Sequence, residues 1–153
     1  ASDVYGDGPY KTQLQDQVKS LALESCFNFK GSSAKLKSIY CHYDYMLQPT
    51  HMECFSLSIL ESLAANVPVI TTNVGGNEEA VIDTVNGYVF KVKDVSALKA
   101  VLEKVYLGVN KIDLNTRIDI ENHFSLEQMI NQHFSTLSKF NPVRVLNSDR
   151  VKL

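Results

Sequence analysis

The run Val67-Pro68-Val69-Ile70-Thr71-Thr72 limits the fold more than any other stretch of the chain. It is apolar or β-branched throughout, without the alternation of a half-exposed strand. Such a run suits a strand buried on both faces of a parallel sheet. Upstream, Phe55 to Asn66 carries Leu57, Leu60 and Ala64 at helical spacing, with Ile59 and Leu63 beside them. That helix must stop before Pro68, because the residue ahead of a proline avoids helical angles. Downstream, Gly75-Gly76 marks a turn.

The rest of the chain repeats this alternation. Asp3-Val4-Tyr5 reads as the end of a strand, closed by Gly6-Asp7-Gly8-Pro9, with Pro9 suited to the first turn of a helix running to about Leu23. Leu14, Val18 and Leu21 form its expected core stripe. Ser25 to Phe29 is a strand stopped by Gly31, Ser33 to His42 a helix, and Tyr43 to Leu47 the next strand ended by Pro49. Asn77 is placed to cap a short helix through Val81 or Ile82. Asn86-Gly87 turns into a strand from Tyr88 to Val92. Asp94 or Ser96 caps a helix whose Leu98, Leu102 and Val105 face the core. Helices over about Leu114 to Asn122 and Leu126 to Phe140 follow, the second capped by Ser125. Short connections between strands and helices imply parallel pairing through right-handed crossovers. The expected architecture is therefore α/β, a doubly wound, Rossmann-like parallel sheet. It occupies residues 1–140, with terminal helices from about 112 and a tail over 141–153.

Composition agrees with one ordinary domain. The chain has 153 residues, 44% of them apolar and 21% charged, which excludes disorder. Fifteen basic residues face 17 acidic ones with no basic cluster, which argues against nucleic acid as a partner. Cys26, Cys41 and Cys54 are odd in number and lack C-x-x-C pairing, pointing to a reducing, cytoplasmic setting. His42, His51, His123 and His133 lack metal-ligand spacing.

In doubly wound sheets, ligands sit beyond the carboxyl ends of the strands. Three segments fall there: Gly6 to Pro9, Gln48 to Ser56, and Thr72 to Asn77. Within the second, Glu53 lies in the loop after a strand and Glu61 on the following helix, eight residues on. Two helical positions so spaced are offset by about 80° and share no face. With Glu53 in the loop, both carboxylates can address one elongated ligand. Between them lie the free amides of the helix start, around Ser56 to Ser58, which favour an anion such as phosphate. The carboxylates suit the vicinal hydroxyls of sugars, through two acceptor oxygens each. The local chemistry is that of a diphosphate flanked by two polyols. Taken singly, Glu53 is also what a helix N-terminus favours, and Glu61 is compatible with a solvated surface position.

The motif order resembles the donor-binding half of retaining glycosyltransferases of the GT-B fold, the glycosyl transferases group 1 family. Pro49-Thr50, Glu53, Phe55, Leu57, Leu60 and Glu61 stand where that family carries its E-x7-E signature. Asn66 to Glu79 resembles G-x-P-V-I-x-T-x-x-G-G-x-x-E, and Asn86-Gly87-Tyr88-Val89-Phe90 resembles N-G-x-L-V. Gly6-Asp7-Gly8-Pro9 matches G-D-G-P, and Phe29-Lys30-Gly31 is similar to F-x-G.

The resemblance implies transfer of a sugar from a nucleotide diphosphate with retention, in polysaccharide or glycoconjugate biosynthesis. Glu53 would act at the donor sugar as the catalytic-site carboxylate. Cys54, Phe55, Ser56, Leu57 and Ser58 would hold the sugar and diphosphate, largely through backbone amides. Glu61 would bind the ribose. Gly6, Asp7, Gly8, Phe29, Lys30, Gly31 and Thr50 would line the nucleotide cleft. No cofactor or tightly bound metal is implied; the nucleotide sugar is substrate. An N-terminal acceptor-binding domain is the implied partner, and the parent enzyme is compatible with peripheral association at the inner face of a membrane. Cys54 and Ser56 replace glycines usual after the first Glu, and Asn66 replaces another at the helix end, where asparagine best tolerates left-handed angles. The family's first βα unit, with its diphosphate-neutralising Arg and Lys, and its acceptor domain do not match anything in these residues. The chain is therefore expected to be a donor-binding fragment, inactive alone. A GT-B nucleotide-sugar epimerase and a non-catalytic doubly wound binding module are the alternatives.

Overall fold

The computed structural model describes residues 1–109, 112 and 115–140. The expected tail over 141–153, and the start of the helix placed from Leu114, lie outside the described residues. The chain forms two compact units, the first Ala1–Ile39 and the second beginning at Tyr40.

In the first unit, β1 (Ser2–Tyr5) pairs in parallel with β2 (Phe27–Gly31), and α1 (Lys11–Ser20) connects them. The strand does end at Gly31, which is still part of it and pairs with Tyr5 across an irregularity in the register, and it begins at Phe27 and not at Ser25. Val4, Phe27 and Phe29 are half-buried. The expected core stripe of α1 is not one. Leu14 and Leu21 are 47% and 59% exposed, and the helix has no fully buried residue. Two strands present too narrow a face to cover an amphipathic helix. A single turn, α2 (Leu36–Ile39), closes the unit. Of the helix expected over Ser33 to His42, the stretch from Leu36 is helical: α2 is followed directly by a 3-10 turn, Tyr40–His42.

The second unit is built on a three-stranded parallel sheet, β3 (Met46–Gln48), β4 (Val69–Thr72) and β5 (Gly87–Phe90), in that order. Every residue of the central strand is buried, as its unbroken apolar run requires. Helices cover both faces. On one side α3 (Leu57–Ala64), α4 (Asn77–Ala80) and α6 (Thr116–Phe124) bury Ile59, Leu63, Ala80, Val81 and Ile120 against Val69. On the other, α5 (Val95–Tyr106) packs Val101, with Leu98 and Val105, against Ile70, Tyr88 and Phe90. This is the doubly wound arrangement. The helix α7 (Leu126–Phe140) ends the described chain, with Ser125 Oγ accepting from the Gln128 amide. No described helix is long and apolar enough to cross a membrane.

The stripe of α3 is rotated from the expected one. Ile59, Ser62 and Leu63 are buried, Leu60 and Ala64 are half-buried, and Leu57 is 69% exposed. Asn66 holds φ 60°, the left-handed angle foreseen for it, and its Oδ1 accepts from the Arg117 amide, docking α6. The Thr116 hydroxyl adds a bond to the Leu63 carbonyl. Asp94 caps α5 through the Ala97 amide. Asn77 does not cap α4; Gly76 holds that position. The Asn77 side chain turns inward instead, and its Nδ2 donates to Thr71 Oγ1 and the Thr72 carbonyl, both at 3.1 Å.

Candidate functional site

Two loops at the carboxyl ends of β3 and β4 are pressed together. The Gly76 amide donates to the Cys54 carbonyl at 2.7 Å. Gly75 takes φ 54°, and a Cβ there would overlap the Glu53 carbonyl. A Cβ on Gly76 would lie 2.6 Å from the Phe55 ring. Gly75 is therefore required by angle as well as by contact, and Gly76, at φ −85°, by contact alone. The Thr71 and Thr72 hydroxyls donate to the carbonyls of Gln48 and Thr50, and so anchor the start of the Glu53 loop on β4.

Glu53 sits half-buried at this junction. Its Oε1 accepts from the Cys54 amide at 3.1 Å, and its Oε2 from Gln48 Nε2 at 3.4 Å. Ser56 occupies the N-cap position of α3, yet its side chain does not cap the helix. Its buried hydroxyl bonds to Gln48 instead. The first-turn amides of α3, which have no intrahelical acceptor by geometry, are thus not taken by the capping side chain. Cys54 and Leu57 are exposed; the Phe55 ring packs on Phe124 with centroids 5.5 Å apart. The backbone of Cys54 is already taken, its amide by Glu53 Oε1 and its carbonyl by the Gly76 amide.

Farther along α3, Ser58 hydrogen-bonds the phenol of Tyr40. Burial pushes that phenol above the usual tyrosine range; the Ser58 bond opposes the shift and the nearby Glu61 charge adds to it. Glu61 is half-buried on the second turn. Glu53 thus precedes α3, and Glu61 lies on its second turn. Gln48 and Tyr40 were not singled out in the sequence. A polar residue closing a strand that points into a helix-covered face was the available signal for Gln48.

In the first unit, Gly6 and Gly31 meet directly, the Gly6 amide donating to the Gly31 carbonyl at 2.9 Å. Asp7 pairs with Lys11, and Lys30 Nζ lies 3.7 Å from Asp3. Gly8 and Phe29 flank this strand end. Elsewhere, an open, mostly apolar groove of about 440 Å³ follows one face of α5, lined by Val95, Leu98, Lys99, Leu102, Glu103 and Tyr106. Its two charged side chains, Lys99 and Glu103, pair with each other at 3.7 Å on a single helix face, which does not suit a phosphorylated ligand. Among the described residues, no group of three or more His, Cys, Asp or Glu is arranged to hold a metal ion.

The family model for glycosyl transferases group 1 matches residues 3–117. The chain belongs to that family. The group 1 chain is 40% identical over 75 residues to the 2-deoxystreptamine N-acetyl-D-glucosaminyltransferase of Niallia circulans, covering 48% of this chain and 19% of that protein. It is 32% identical over 104 residues to the glycogen synthase of Mycobacterium tuberculosis, covering 67% and 25%. Among solved structures, the lipopolysaccharide outer core galactosyltransferase WaaB matches with a TM-score of 0.81 at 18% identity, over 90% of this chain and 40% of that one. Anabaena HepE, solved in complex with UDP, matches with a TM-score of 0.78 at 23% identity over the same shares. These likenesses establish the fold as that of GT-B glycosyltransferases. The chain spans 19% and 25% of the curated relatives' lengths.

Proposed function

We propose that this chain is the nucleotide-sugar-binding half of a retaining glycosyltransferase, which transfers a sugar from a nucleotide diphosphate to an acceptor. The observation that carries the reading is the junction at the start of α3. Glu53 is fixed before the helix, Ser56 leaves the first-turn amides uncapped, and Glu61 follows on the next turn beside Tyr40. Helix-start amides suit the diphosphate. Glu61 accepts from the ribose hydroxyls, and Glu53 from hydroxyls of the transferred sugar, where it also faces the charge that develops at the anomeric carbon. Carboxylate hydrogen bonds of this kind are stronger than neutral ones.

HepE, of the same fold, was solved with UDP and with UDP-glucose. That supports a uridine nucleotide as the first probe, with guanosine and adenosine nucleotides beside it. A polysaccharide or glycoconjugate product fits the named relatives, among them the capsular polysaccharide biosynthesis glycosyltransferase CapM of Staphylococcus aureus. The 153 residues alone are proposed to bind donor without turning it over, since they correspond to 40% of the solved enzymes. The test is calorimetric titration with UDP, GDP and ADP and one hexose ester of each. One nucleotide series binds, and Glu61→Ala weakens it about tenfold, the loss of roughly 1.4 kcal/mol. Failure of every series to bind at millimolar concentration would overturn the reading.

A further inference from the structure

We infer that Gln48 and Ser56 position Glu53 for the donor sugar and so govern how the site discriminates a sugar-bearing nucleotide from a bare one; this rests on the donor-site reading above. Gln48 closes β3, and its backbone is fixed twice, its carbonyl accepting from Thr71 Oγ1 at 3.0 Å and from the Thr50 amide at 2.9 Å. The two-residue period of a strand puts its side chain on the face of Met46, which packs with the α3 side of the core. A half-buried amide there needs partners. It finds two. Nε2 donates to Ser56 Oγ at 3.0 Å and to Glu53 Oε2 at 3.4 Å, and the Ser56 hydroxyl donates to Oε1 at 3.1 Å.

With Glu53 Oε1 accepting from the Cys54 amide, each carboxylate oxygen is held by one neutral donor. A carboxylate offers about four lone-pair sites, so acceptor capacity remains on both oxygens for hydroxyls of a ligand. The clamp contains no cation, so it orients the carboxylate without an ion pair that a ligand would have to displace. Ser56 stands where the resembled signature has glycine. A glycine there would leave Gln48 with Glu53 alone and nothing to hold the amide in register. Gln48 and Ser56 are therefore positioning residues, acting on the ligand through Glu53.

The experiment compares Gln48→Leu with the parent chain, titrating the nucleotide diphosphate that binds and its hexose ester. Gln48→Met, which keeps the side chain's length and removes only its amide, is the second variant should the first fail to fold. The inference expects affinity for the hexose ester to fall about three- to tenfold relative to the bare diphosphate, whose own affinity stays within about twofold. An equal loss for both ligands, as from a general disturbance of the loop, or no loss for either, would overturn it. A parent chain that binds neither ligand overturns the donor-site reading itself, and this inference with it.

Discussion

The amide of Gly76 donates to the carbonyl of Cys54 at 2.7 Å, tying the turn after β4 to the loop after β3. The bond is between backbones, so the shape of the Glu53 loop is set by the neighbouring turn and not by the identity of residue 54. That explains how an exposed cysteine can stand where the family pattern has glycine.

Gly75 is the position where this packing leaves least room. It holds φ 54°, and an added Cβ would meet the Glu53 carbonyl. Gly75→Ala is expected to cost about 1–3 kcal/mol of stability from strain and overlap. It should also weaken nucleotide binding, because the Glu53 loop must shift. Urea unfolding and titration of the variant check both; unchanged stability would show that the loops are not in contact.

Much of the second unit was legible in the sequence, for identifiable reasons. The run Val67–Thr72 suits a strand buried on both faces, and β4, Val69–Thr72, is that strand. Asp94 had a helix behind it and caps it. Where reading failed, tertiary contacts decided. Asn77 looks like a helix cap by local chemistry, but Thr71 and Thr72 offer its side chain buried partners. Leu57 fits a helical stripe, but α3 turns Ile59 and Leu63 to the sheet and leaves Leu57 exposed. In the first unit, periodicity gave α1 but could not say that a two-stranded sheet would leave Leu14 and Leu21 exposed. The spacing of Glu53 and Glu61 was readable; the part played by Gln48 was not, because its partners Glu53 and Ser56 lie five and eight residues away across a loop.

Asn86 is a core residue in a turn position. It is 2% exposed, its Nδ2 donates to the Ala80 carbonyl at 3.0 Å, and its Oδ1 accepts from the Ile82 amide at 2.8 Å. Asn86→Ala removes the buried donor to the Ala80 carbonyl and the part-buried acceptor of the Ile82 amide. The expected loss is about 2–4 kcal/mol of unfolding free energy, measured by chemical denaturation; a loss below about 0.5 kcal/mol would contradict this bonding.

Alkaline stability depends on two buried tyrosines. Burial raises the Tyr40 and Tyr88 phenols above 10.0, with Tyr45 and Asp83 adding to the effect at Tyr88. Between 10.0 and the higher folded values, the folded chain holds more protons than the unfolded one. Stability is then fully present below pH 10 and falls as pH rises through the folded values. The Tyr40→Phe variant should lose less stability between pH 9.5 and 11 than the parent, the window about the ordinary tyrosine value. Parallel denaturation curves at each pH read this directly; identical pH slopes for parent and variant would refute it.

The decisive observation is a crystal structure of the chain with the nucleotide diphosphate hexose that binds it. The account predicts the diphosphate on the first-turn amides of α3, Glu61 within hydrogen-bond reach of the ribose hydroxyls, and Glu53, still held by Gln48, on hydroxyls of the hexose. A donor bound elsewhere, or either carboxylate directed into bulk solvent away from it, would contradict that account.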